Sequence, residues 1–303
     1  MLIIDKPSGW TSHDVVAKVR GITRIKKIGH TGTLDPFATG TLPLVVGCAT
    51  RLTSYFQASD KVYRGIMRFG FSTNTYDVDG DPMGADTNPD IDATRVEEIF
   101  ARWIGTIQQT LPPYSAKKVQ GKPLYFYARK GVEMAPIVKE VTIKSLTILG
   151  VNHSSVEFEL SCASGAYVRA LAHDIGREYG CGAHLSHLRR ICCGDFSIED
   201  AAPLHPPDDA HNCYPSEFFF NRIIPMNRLL PGVPSIVVSN GDKQKILQGN
   251  DINVLCAEWQ AENYRIMDAD GSMVAVARKV QVFEPPGVEP VRWLRIHPVV
   301  VVH

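Results

Sequence analysis

Between residues 156 and 162 the chain alternates without a break. Val156, Phe158, Leu160 and Cys162 are apolar, and Glu157, Glu159 and Ser161 between them are polar. A period of two puts the apolar set on one face of an extended strand. Such a strand belongs to a sheet covered on one side, whereas the doubly covered sheets of βαβ proteins read as unbroken apolar runs. Residues 63–69 repeat the pattern, with Tyr63, Met67 and Phe69 on one face and Arg64, Ile66 and Arg68 on the other. A turn near 150–154 makes 156–162 the second arm of a hairpin.

Helical spacing appears only intermittently. Val15, Val16, Val19 and Ile22 share a face, with Ser12 as the expected cap. Thr94-x-x-Glu97 reads as a capping box before Val96, Ile99, Phe100 and Trp103. Val168, Leu171, Ala172 and Ile175 share a third face, with Ser164 as cap and Gly180 at the end. Strands also fit residues 2–5 and 42–46. Hairpins with scattered helices predict an α+β fold: a mixed, largely antiparallel sheet with flanking helices. Pro231-Gly232-Val233-Pro234 breaks the chain. Beyond it come a short helix (Ser239 cap, Gly249 end) and a hairpin turning at Asp270-Gly271. The expected division is therefore a large domain over 1–232 and a small β-rich domain over 233–303.

Composition excludes a disordered chain, since 44% of residues are hydrophobic and 21% charged. No run approaches the roughly 18 apolar residues of a membrane helix, and the N-terminus has the wrong flanks for a signal peptide. Seven cysteines form no CxxC pair, so a reduced, cytoplasmic protein with cysteines as small core hydrophobes is expected. Net charge is zero, which taken alone argues against a polyanionic partner. The charge is nevertheless segregated. Residues 18–27 hold five bases and no acid, and residues 117–139 hold six bases and one acid among Tyr125, Phe126 and Tyr127. Residues 77–98 hold eight acids against one base, and 195–217 six acids and no base. Basic runs with interleaved aromatics suit a nucleic-acid backbone with stacking partners. The Pro-rich 203–217 stretch reads as a surface loop.

Gly29-His30-Thr31-Gly32-Thr33-Leu34-Asp35-Pro36-Phe37-Ala38-Thr39-Gly40 is the most unusual segment: a tightly wound loop with one acid at its centre. Taken alone, Asp35 before proline suits an Asx turn. No Gly-Lys-[Ser/Thr] follows the glycines, no zinc-ligand spacing is present, and there is no GxSxG elbow.

With Lys6-Pro7-Ser8-Gly9-Trp10-Thr11-Ser12, this segment resembles the two N-terminal motifs of the TruB family, pseudouridine synthases that modify uridine 55 in the T-loop of tRNA. The resemblance continues through Lys61-Val62-Tyr63-Arg64-Gly65 (Val62 being a departure), Asp77-x-Asp79-Gly80 and Pro112-Pro113-Tyr114-Ser115-Ala116-Lys117-Lys118. Gly165-Ala166-Tyr167-Val168-Arg169 and Gly182-Ala183-His184-Leu185-x-x-Leu188-Arg189-Arg190 complete it. It covers about residues 2–195, and the C-terminal part is similar to the family's small PUA-type RNA-binding domain.

The resemblance implies the pseudouridine synthase fold and isomerisation of an extruded uridine by glycosidic cleavage and C–C rejoining, with no cofactor and no metal. It assigns Asp35 as catalytic acid. Addition to C6, attack on C1′ and deprotonation of C2′ all remain open to it. Arg169 is implied as its ion-pair partner, and Tyr63 as the residue that stacks on the base and mediates proton transfer. Tyr167 and Leu188 are implied to line the pocket, His30 to contact the rearranged T-loop, and Lys6 and Pro7 to support the first motif. The basic insertion, about 112–140, is expected to close over the T-arm, with Lys117, Lys118, Lys122 and Arg129 on phosphates. The implied partner is tRNA through its T-arm, with no membrane and no required protein partner, so the chain is expected to act as a monomer. A tRNA-folding chaperone role accompanies this reading, and a guide-RNA-dependent rRNA relative is the alternative.

Overall fold

The computed structural model describes residues 1–115, 117–119, 121–132, 134–205, 214–283 and 292–302, with Lys118 described in its backbone only. Its main sheet has ten strands. The path runs Ala202–Pro203, Leu2–Lys6, Thr39–Val46, Ala183–Cys193, Lys61–Phe69, Ser155–Cys162, Val138–Asn152 and Gly105–Thr110. Phe196–Ser197 and Ile28–His30 attach as side branches. All pairings are antiparallel except Ala202–Pro203 on Leu2–Lys6 and Ala183–Cys193 on Thr39–Val46. The fold is α+β with a mixed, largely antiparallel sheet.

Burial follows the period-two pattern. In Ser155–Cys162 the apolar residues face the core beneath the helices Ala93–Arg102 and Val168–Tyr179. Leu2–Lys6 is covered on both sides, which accounts for its unbroken apolar run. Leu2 and Ile4 pack with Val15, Val16 and Val19 of the helix Ser12–Thr23. Met1 and Ile3 pack with Met267, Met273, Val276 and Val302. Those last four belong to the C-terminal region, where five strands run in the order Ser235–Val237, Asn263–Met267, Met273–Phe283, Arg292–Val301 and Ile252–Cys256. Among the described residues no helix is long and apolar enough to cross a membrane.

Three caps differ from expectation. The first helix is capped by Thr11, in a capping box with Asp14, which leaves the Ser12 side chain free for another use. Asp92, two residues before the expected box, caps Ala93–Arg102 because its carboxylate reaches the Thr94 and Arg95 amides. Val168–Tyr179 starts at Tyr167 with no side-chain cap, not at Ser164. Gly180 ends that helix at φ 99° and the Ser239 cap is present. Of the described cysteines all are free, but Cys48 is exposed and does not serve as a core hydrophobe. Most of the acidic loop, residues 206–213, lies outside the described residues.

One contact between strands sets the position of the Asp35 loop. Where Thr39–Val46 meets Ala183–Cys193 in parallel, Gly40 lies opposite Arg190 at φ 103°. A Cβ there would overlap the Arg190 carbonyl, so only glycine lets the strands close.

Candidate active site

The Asp35 loop is held by the residues that precede it in sequence. Lys6 is fully buried, and its ammonium donates to the carbonyls of Pro7 (2.9 Å), Trp10 (2.6 Å) and Pro36 (3.1 Å). Burial lowers its pKa to about 8, although the Asp35 charge opposes this. Ser12 Oγ accepts from the Leu34 amide at 2.9 Å and donates to the Leu34 carbonyl at 3.2 Å. The Gly9 amide donates to the Pro36 carbonyl at 2.9 Å. On the far side, the buried Arg190 guanidinium donates to the carbonyls of Thr41 (2.7 Å) and Gly32 (3.1 Å). The first motif is thus a brace for the second.

Asp35 meets Arg169 in a fork. Arg169 Nε donates to Oδ2 at 2.8 Å and Nη2 to Oδ1 at 3.1 Å. The remaining valences of the guanidinium are occupied too: Nη1 donates to the Thr75 carbonyl (2.7 Å) and Nη2 to the Tyr114 carbonyl (3.0 Å). Nη1 also lies 3.3 Å from Asp77 Oδ2. Arg169 and Asp77 are 5% and 6% exposed in their side chains, whereas Asp35 is 34% exposed. One buried cation therefore holds two carboxylates, and only Asp35 opens outward. Burial raises the Asp77 pKa, while hydrogen bonding from Thr75 and the Arg169 charge act against it. Five donors in a rigid fork make arginine suited to this position.

Arg169 reaches this point because its helix is pinned at the start. The buried Gln109 amide makes two hydrogen bonds with the Tyr167 backbone, accepting from its N–H at 2.8 Å and donating to its carbonyl at 3.1 Å. Gln109, Asp77 and Arg190 carry no role in the sequence reading, and Ser12 is expected there only as a helix cap. A buried glutamine on a strand edge carries no pattern. Asp77 and Arg190 did lie in family-like blocks, and that was the available signal.

A cavity of about 350 Å³ opens at the fork. Asp35, Arg169, Tyr63, Tyr167, Leu188 and Lys117 line it, so six of the expected site residues come together. Tyr63 is 8% exposed, and burial pushes its phenol up to about 12 while the nearby Arg190 charge pulls the other way. Burial likewise raises the Tyr167 phenol. Lys61 and Lys139 also border the cavity.

Other expected residues lie apart. His30, on Ile28–His30, does not line the cavity. Its ring meets His13 edge-on at 5.8 Å, and burial first, then the His13 and Arg190 charges, lower its pKa. Lys122 lies over the Phe126 ring at 4.6 Å and Arg129 over Tyr125 at 5.6 Å, both within the insertion and outside the cavity lining. Lys118 pairs Lys118–Val119 with Lys122–Pro123 through its backbone.

Comparison with known proteins decides the family. The model for the TruB family pseudouridylate synthase N-terminal domain matches residues 20–168, and that for the tRNA pseudouridylate synthase B C-terminal domain matches 169–231. A tRNA pseudouridine synthase B from Solibacter usitatus is 39% identical over 280 residues, covering 92% of each chain. The chain belongs to the TruB family. The protein of that name from Clostridium kluyveri is 40% identical over 256 residues, covering 83% of this chain and 84% of that one. In fold, this TruB-family chain also matches a chain of a solved Cbf5-Nop10-Gar1 complex. The TM-score is 0.71 at 25% identity, covering 99% of this chain and 84% of the other. A chain of an H/ACA RNP bound to a substrate RNA gives 0.70 at 22% identity, a likeness of fold.

Proposed function

We propose that this TruB-family chain converts uridine 55 in the T-loop of tRNA to pseudouridine, with Asp35 as the catalytic carboxylate. The observation that carries the reading is the forked Asp35–Arg169 pair at a cavity bounded by Tyr63, Tyr167 and Leu188. The relatives' shared name, tRNA pseudouridine synthase B, supplies the substrate class. A base inside a folded loop must be extruded before its glycosidic bond can be reached. The cavity has room for one such nucleoside, with the Tyr63 ring as its stacking surface.

In this reading Arg169 keeps Asp35 aimed at the base. The Tyr63 phenol, protonated across the physiological range, serves as a proton carrier at C5 rather than as a standing phenolate. Lys117 borders the cavity, Lys122 and Arg129 extend the basic surface along the insertion, and these three together with Lys118 bind the T-arm phosphates. His30, beside the loop, contacts the rearranged T-loop. Residues 1–232 form the catalytic unit, and 233–303 a PUA-like RNA-binding unit. Refolding of the tRNA elbow accompanies base extrusion. The enzyme works as a monomer, with no guide RNA and no protein partner.

Tritium release from C5-labelled T-arm RNA tests the assignment. Purified protein alone is expected to release tritium, and Asp35→Asn to bind the RNA without release. Undiminished release by Asp35→Asn would remove Asp35 from its role, and a need for added guide RNA would favour the guide-dependent class.

A further inference from the structure

Of the fully buried polar side-chain atoms that line the cavity among the described residues, only Ser115 Oγ lacks a partner. Asp35 and Arg169 hold each other. Arg190 is held by two carbonyls, and the Lys61 ammonium donates to the carbonyls of Gln57 and Ser59. Ser115 differs. It is 3% exposed and lines the cavity, and its Oγ is buried with no hydrogen-bond partner among the described residues. The neighbouring Tyr167 phenol is near enough for the hydroxyl to ease its ionisation, but the two do not meet in hydrogen-bonding geometry.

A buried hydroxyl left without a partner is costly, and folded proteins rarely tolerate one unless a ligand or water completes it. The Ser115 backbone is fixed at both ends. The carbonyl of the preceding Tyr114 accepts from Arg169, and the Ser115 carbonyl accepts from the Tyr125 amide at 3.1 Å. The hydroxyl is thereby held one residue from the guanidinium that aims Asp35.

We infer that Ser115 Oγ is a hydrogen-bond partner of the extruded base, a positioning contact that holds the uracil against Asp35. Extrusion strips O2, N3–H and O4 of their partners in the folded loop, and a hydroxyl, being both donor and acceptor, can pair with any of the three. Two unsatisfied groups, one on the protein and one on the base, are then completed in a single contact. The inference rests on the pseudouridine synthase reading and adds a residue that neither the motifs nor the ion pair assigns.

The test measures binding in the Asp35→Asn background, which prevents turnover. T-arm RNA with uridine at the target position is compared with the same RNA made abasic there, for Ser115 and for Ser115→Ala. The expected result is a preference for uridine that falls about tenfold in Ser115→Ala, the scale of one neutral hydrogen bond, with abasic binding unchanged. The thermal midpoint of the free protein is expected to hold, because no intramolecular bond is lost. An unchanged preference, or no preference to lose, overturns the inference. A lowered midpoint with preference intact makes Ser115 a packing residue and overturns it as well. Absence of tritium release from unmodified protein would fail the proposed function instead, so the two failures are distinguishable.

Discussion

Asp35 is defined by the company of one arginine. The fork gives each carboxylate oxygen a donor, and the same guanidinium is fixed by two backbone carbonyls and by Asp77. Arg169→Lys keeps the charge but replaces the planar fork with a single point donor. A rate loss of roughly 10²–10³ is therefore expected, of the order seen when one preorganised electrostatic contact is removed. Single-turnover tritium release measures it, and a rate within threefold would show that charge alone suffices. Lys6 allows a different test. Its pKa is about 8 when folded against 10.5 as the ordinary value. Between those values the unfolded chain binds more protons, so the Lys6 contribution to stability rises with pH over 8 to 10.5. Relative to Lys6→Met, the stability of the unmodified protein is expected to climb across that window by at most about 3 kcal/mol. Denaturant titrations at pH 7.5 and 10 measure this, and a flat difference would refute the lowered pKa of the buried amine. Asp35, Tyr63 and Arg169 were readable because motif blocks mark them. Ser12 was misread as a cap because Thr11, with Asp14 three residues on, makes the stronger capping box, and only the fold shows the freed hydroxyl holding Leu34.

At the scale of elements, periodicity did most of the work. Alternation in 156–162 and 63–69 predicts two strands that the structure pairs side by side, and the apolar face of 168–175 predicts the helix that carries Arg169. The order of strands was not legible, because the parallel pairing of Thr39–Val46 with Ala183–Cys193 depends on a contact between residues 150 apart. Gly176 shows how packing reverses a propensity rule. In an exposed helix, replacing glycine by alanine gains up to about 1 kcal/mol. Here the added Cβ would fall on the backbone nitrogen and side chain of Ala183, where the helix Val168–Tyr179 lies against the strand it feeds. Overpacking of this kind costs roughly 1–3 kcal/mol and outweighs the propensity gain. Gly176→Ala is expected to lower the thermal midpoint by several degrees, read by calorimetry, and a rise would mean that the helix can shift to make room. Such a shift would also move Arg169, so activity should fall with it.

The whole molecule carries no net charge, yet its charges are distributed in blocks. That distribution decides how a polyanion is met: a protein of zero net charge can still orient one if bases and acids occupy different surfaces. Lys61, Lys117 and Lys139 border the cavity, and the insertion continues the basic surface through Lys122 and Arg129, whose charges rest on aromatic rings rather than on acids. A cation held over a ring keeps its charge available to phosphate. Each phosphate neutralised by a lysine or arginine contributes about 0.7–0.9 to the slope of log affinity against log salt. A Lys117/Lys122/Arg129 triple alanine variant is therefore expected to bind tRNA more weakly at low salt and to lower that slope by about 2. The basic run 18–27, whose residues do not line the cavity, supplies the comparison: Lys26→Ala with Lys27→Ala is expected to change the slope by less. Filter binding over a range of salt concentrations separates the two. An unchanged slope in the triple variant would mean that the insertion does not track the RNA backbone, and that the segregated charge serves solubility alone.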